Sequence, residues 1–144
     1  MPARWLPLAW ALLWIGAALF QALPGQNSGT AVAAEISGGS ASAPAWLGQL
    51  DASIAGWTAR HGTAVVLALL VSEALIGLAA LHRRTRGSAV VVGCVLALAI
   101  WLVGQDLGQL ASGQATDPNT APLIALMGIA IAGSRRARAR ANMG

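Results

Sequence analysis

Tyrosine and lysine are absent from this chain, cysteine and phenylalanine occur once each, and only five acidic side chains are spread over its 144 residues. A single cysteine, Cys94, excludes an internal disulfide and fits no metal or redox spacing. It falls well inside an apolar run, where it reads as a small packing residue. Charged residues make up 10% of the chain, against roughly 25% in a soluble domain, too few to coat a water-facing surface. No nucleophile with a base, phosphate loop or carboxylate pair has a recognisable spacing, so no catalytic residue and no cofactor is assigned. The two histidines cannot share a metal or a haem, because His61 and His82 stand about 30 Å apart along one helix.

What remains is a membrane composition, 56% hydrophobic. The runs "WLPLAWALLWIGAALFQAL", "TAVVLALLVSEALIGLAAL" and "SAVVVGCVLALAIWLVG" each reach about the 17 to 25 residues that cross ~30 Å of hydrocarbon. A fourth, "PLIALMGIAIAG", is short. Starting it at Pro118 lengthens it: Asp117 or Thr116 can cap the helix, and a proline suits the first helical position. Pro122 disfavours helical geometry at Ala121, which makes Thr120 or Ala121 a second candidate cap. The expected fold is an all-α membrane protein, a four-transmembrane-helix bundle with spans at about 5–23, 63–81, 88–104 and 118–134. Gly93 with Ala97, and Gly128 with Ala132, are small residues four apart that favour close helix contact.

Charge placement sets the orientation. Of nine arginines, Arg4 precedes the first run, Arg83, Arg84 and Arg86 separate the second from the third, and Arg135, Arg136, Arg138 and Arg140 follow the fourth. Only Arg60 lies on the other side, where Glu35, Asp51, Asp106 and Asp117 also fall. By the positive-inside rule both termini, the loop 82–87 and the tail 135–144 are expected in the cytoplasm of a multi-pass cell (inner) membrane protein. The loops 24–62 and 105–117 are then extracytoplasmic. Nucleic acid is not an expected partner, since "RRARAR" reads as a solvated topology anchor. A cleaved signal peptide ending near "AVA" is disfavoured: the apolar run is too long and the site lies far beyond it.

The first outer loop is too long for a plain connector. "NSGTAVAAEISGG" suits a short helix capped by Ser28 or Thr30 and stopped at Gly38. "PAWLGQLDASIAGWTAR" places Trp46, Leu50, Ile54 and Trp57 on one stripe, with Gln49, Asp51 and Ser53 elsewhere, the pattern of an extracytoplasmic interfacial helix lying on the membrane or against the tops of the spans. Trp46 and Trp57, with Trp5 and Trp101, fit an aromatic belt. "LPGQN" and "LVGQD" hint at a repeated hairpin, but three identities and an Asn/Asp pair are within the reach of chance in a chain rich in Gly, Ala and Leu.

Two sets of residues are candidates for function. Glu73 lies near the middle of the second span, where an ionised carboxylate is costly and such residues often mark a proton, ion or ligand path. It is expected to be neutral and hydrogen-bonded, to Ser72 or to the indole N–H of Trp14 or Trp10. In the second outer loop Gln105, Asp106, Asp117 and Asn119 offer oxygens near glycines. They lack the ordered acids of a calcium loop, and no metal is assigned. Turn chemistry, a ligand or a partner contact all fit them.

The segments "LPGQNS" and "VGQDLGQLASGQATDPNTAPL" resemble those of small integral membrane proteins of high-GC Gram-positive bacteria, and the exclusive use of arginine is in keeping. The resemblance implies a four-span layout in a bacterial inner membrane and transfers no catalytic residue. The expected role is a non-catalytic accessory or interaction subunit that meets the lipid bilayer and a membrane or extracytoplasmic protein partner through its outer loops. The alternative is a small transporter or a quinone- or lipid-handling protein that uses Glu73.

Overall fold

The computed structural model describes residues 5–24, 28–39, 43–105, 107 and 120–141. They form five helices: α1 (Leu6–Gln21), α2 (Gly29–Gly39), α3 (Ala45–Leu81), α4 (Arg86–Gly104) and α5 (Thr120–Ala141), with no strand among the described residues. Two helices are long and apolar enough to cross a membrane, α3 and the Arg86–Val103 part of α4. Helix α1 has 16 residues and rises about 24 Å. The apolar part of α5, Thr120–Ser134, is also short.

Four helices close into a ring: α1 packs on α3 and α5, α3 on α4, and α4 on α5, while α2 lies across α3 and α4. Trp10, at 0% exposure, sits in the middle of the core with Trp14, Ile76, Ala97, Ile124 and Ile131. Small residues let the helices approach this closely, which is how apolar helices gain contact where burial from water does not drive them together. A β-carbon on Gly93 would come within 2.6 Å of the Trp10 ring and 3.1 Å of Trp14 Nε1, and one on Gly128 within 2.6 Å of Cys94 Sγ. Gly93, Ala97 and Gly128 thus lie at helix contacts, whereas Ala132, the expected partner of Gly128, faces outward. Leu12, Leu19, Leu67, Leu75, Leu78, Val91, Val95, Leu126 and Ile129 are exposed around the ring, an apolar surface unlike the small patches of soluble monomers.

Two expectations about the second span and the helix before it change. The interfacial helix and the second span are one helix, α3, whose only non-helical backbone is at His61 (φ −113°, ψ 19°). Within its first half the buried face carries Leu47, Asp51, Ala55 and Thr58, while Trp46 and Trp57 on the expected stripe are 58% and 51% exposed. Trp46 and Leu50 of that stripe are exposed, while α2 packs through Ala33 and Ile36 against Ala55 with Ile54 of the stripe beside it. The described part of α5 starts at Thr120 and is helical through Pro122. The expected start at Pro118 lies outside the described residues.

The ends of the helices are tied. Ser28 Oγ accepts a hydrogen bond from the Ala31 N–H at 3.1 Å, the N-cap that "NSGT" suggests for α2. At the α3–α4 turn Thr85 Oγ1 donates to the Ala79 carbonyl at 2.7 Å and Arg86 Nε to the Ala80 carbonyl at 2.9 Å. These bonds satisfy carbonyls that the end of α3 leaves open.

Where α2 meets the His61 kink, Gly29 and Gly62 touch backbone to backbone: a β-carbon on Gly62 would contact the Gly29 Cα and come within 2.6 Å of its nitrogen. Neither neighbour is a flexible side chain that could give way. Gly62→Val is therefore expected to push α2 off α3. With Cys94 replaced by alanine, a disulfide cross-link between Ile36→Cys and Ala55→Cys should form in the parent and be lost in Gly62→Val.

Candidate functional site

Glu73 lies four residues before Gly77 on α3, one turn away on the same face. At Gly77 the helices α1 and α3 cross closely, since a β-carbon there would lie 3.0 Å from the Ala11 carbonyl oxygen and 2.7 Å from Ile15 Cγ1. The close crossing brings Glu73 against α1, where it is 3% exposed. Its Oε2 has no hydrogen-bond partner among the described residues, and the same holds for Trp10 Nε1, Trp14 Nε1 and Gln105 Oε1. The expected bond from an indole N–H to Glu73 is thus not made. Trp14 Nε1 instead faces Gly93 on α4. Ser72 is exposed and points to another side of the helix, since neighbouring residues on a helix do not face each other.

Buried polar atoms normally find partners, and each exception costs about 1–3 kcal/mol. Three of these exceptions among the described residues, Trp14, Glu73 and Gln105, line one cavity. Its volume is about 490 Å³, and its wall includes Trp14, Phe20, Glu73, Ala97, Gln105 and Thr120, so α1, α3, α4 and α5 all contribute. A size of about 300–1,000 Å³, mostly apolar walls and a few polar groups are the marks of small-molecule sites between bundle helices. A second cavity of about 330 Å³ opens between α2, α3 and α4, with Gln21, Glu35, Trp57 and Thr58 on its wall. The two cavities share Ile100 and Gln105.

Comparison with known families, curated proteins and solved structures finds no match for this chain. The site therefore has to be read from its own geometry.

Of the residues singled out in the sequence, Glu73, Trp14 and Gln105 come together on the wall of the larger cavity. Ser72 does not join them. Asp106, Asp117 and Asn119 lie outside the described residues. Sequence reasoning missed Asp51, which is 0% exposed. Its spacing from Leu47 and Ala55, four residues each way, was the available signal, because it shares their face and not that of Trp46 and Leu50. Glu35 on the second cavity was also missed. It stands four residues before Gly39 in a segment whose helical pattern alone does not show which face is covered.

Proposed function

We propose that this chain is a four-pass membrane protein that holds a small amphipathic molecule inside its helix bundle, with Glu73 as the polar anchor. The observation that carries the reading is the cavity of about 490 Å³ lined by Glu73, whose buried Oε2 has no hydrogen-bond partner among the described residues. Ionisable groups inside a membrane bundle are costly and concentrate on substrate and ion pathways. A bilayer setting draws support from the two long apolar helices and the exposed leucines and valines around the ring. In this proposal α1, the second half of α3, α4 and α5 span the membrane. Both termini and the His82–Thr85 turn are cytoplasmic, and α2 with the first half of α3 forms an outer cap.

An accessory role through the outer loops 24–62 and 105–117 draws, in the second of them, on side chains that, Gln105 and Leu107 apart, lie outside the described residues. Gln105 itself lines both cavities, which favours the intramembrane reading.

Ile100→Trp tests it, because Ile100 lines both cavities and is partly exposed, so the larger ring can enter the cavity space without rebuilding the core. Native mass spectrometry from mild detergent, against a short-chain quinone, a phospholipid and a lipophilic cation, should find at least one that binds the parent and is excluded by Ile100→Trp. Equal occupancy of parent and variant by every compound would overturn the proposal. Thiol labelling in a Cys94→Ala background supplies the topology: Arg84→Cys is expected to be protected from an impermeant reagent in intact cells and Asp117→Cys to react.

A further inference from the structure

We infer that the molecule held in the Glu73 cavity is a lipophilic organic cation, an inference that rests on the proposed function and names its ligand class. Charge on the cavity walls is the first argument. Among the described residues Glu73 is the only ionisable one on the larger cavity and Glu35 the only one on the smaller, and none of the described arginines or histidines lines either. Arg60 and His61 follow Trp57 along α3 but line neither cavity. A carboxylate buried in such a setting lacks a counter-charge, and a bound cation supplies it.

The remaining wall chemistry agrees. Trp14 and Phe20 on the larger cavity and Trp57 on the smaller one offer aromatic rings, which attract cations through their quadrupole, most strongly where water is excluded. Leu13, Ala97, Ile100 and Ile124 supply apolar surface for the body of the ligand. The shared residues Ile100 and Gln105 put the cavity beneath α2, with Glu35 on its wall, next to the interior site. A carboxyl on each wall and an amide oxygen shared by both favour positive charge in each cavity. An anionic lipid or a free carboxylate would meet like charge in both cavities.

Tetraphenylphosphonium and tetraphenylborate are close in shape and opposite in charge, so they separate charge recognition from apolar partitioning. Equilibrium dialysis with detergent-solubilised full-length protein is expected to show saturable binding of the phosphonium and none of the borate. Glu73→Gln should weaken phosphonium binding at least ~30-fold, the lower end of the cost of removing one member of a buried charge pair. Glu73→Asp should keep part of the affinity. Equal binding of the two ions, or an unchanged affinity in Glu73→Gln, overturns the inference, and the comparison of ions on the parent needs no variant to fold. If the quinone or phospholipid is excluded by Ile100→Trp while the phosphonium does not bind, the cation assignment fails and the amphipath site stands. Failure of all compounds removes both.

Discussion

Gly77→Val is expected to be among the most damaging single substitutions in this protein, lowering its thermal stability in detergent and abolishing ligand binding together. The added β-carbon would lie 2.7 Å from Ile15 Cγ1, 3.0 Å from the Ala11 oxygen and 3.1 Å from the Ile15 nitrogen. Two of those three atoms are backbone of α1, so the clash cannot be relieved by a rotamer change and the whole helix has to move. Overpacking of a filled core costs about 1–3 kcal/mol, and a clash with backbone belongs at the upper end. Because α1 also carries Trp14 and Phe20 on the cavity wall, the displacement should deform the site as well. Gly48→Ala is the control: a β-carbon at Gly48 meets nothing within 4 Å, and relief of the helical cost of glycine, roughly 1 kcal/mol, should leave stability unchanged or raised. A thermal unfolding series over Gly77→Ala, Gly77→Val and Gly48→Ala checks the order. Equal stability of all three would show that α1 and α3 do not cross at Gly77.

The sequence carried the positions of the helices well because apolar runs are local signals. The α2 cap was legible for the same reason, Ser28 standing three residues before the Ala31 N–H it accepts from. Continuity across His61 was not legible. The amphipathic pattern ends at Arg60 and the apolar run starts at Thr63, yet between them only His61 leaves helical geometry. Which face of residues 45–60 is covered was likewise hidden, since a stripe of tryptophan and leucine is equally suited to protein and to lipid. Glu73 could be found from composition alone, as the only acid in an apolar run. Trp14 and Gln105 were singled out too, but the rest of the wall could not be, because the cavity is lined by four helices and no local pattern states which helix lies beside which.

Glu73→Leu should raise the stability of the folded bundle while removing its ligand binding, and this opposition separates a functional carboxyl from a structural one. If Glu73 joined helices through hydrogen bonds, its removal would leave a partner stranded and destabilise the protein. Instead its Oε2 is buried with no partner among the described residues. Replacing an unsatisfied buried polar group by an apolar one of similar volume recovers about 1–3 kcal/mol. Gln, which keeps a polar amide in the same place, should not share the gain. Thermal unfolding of the parent, Glu73→Gln and Glu73→Leu in one detergent, with no ligand added, provides the measurement, and dialysis with tetraphenylphosphonium on the same samples provides the second axis. A leucine variant less stable than the parent would make Glu73 a helix joint and remove the main support for a ligand in the bundle. A more stable variant that no longer binds would place Glu73 among residues kept at a cost to the fold, the pattern expected where stability is given up for function.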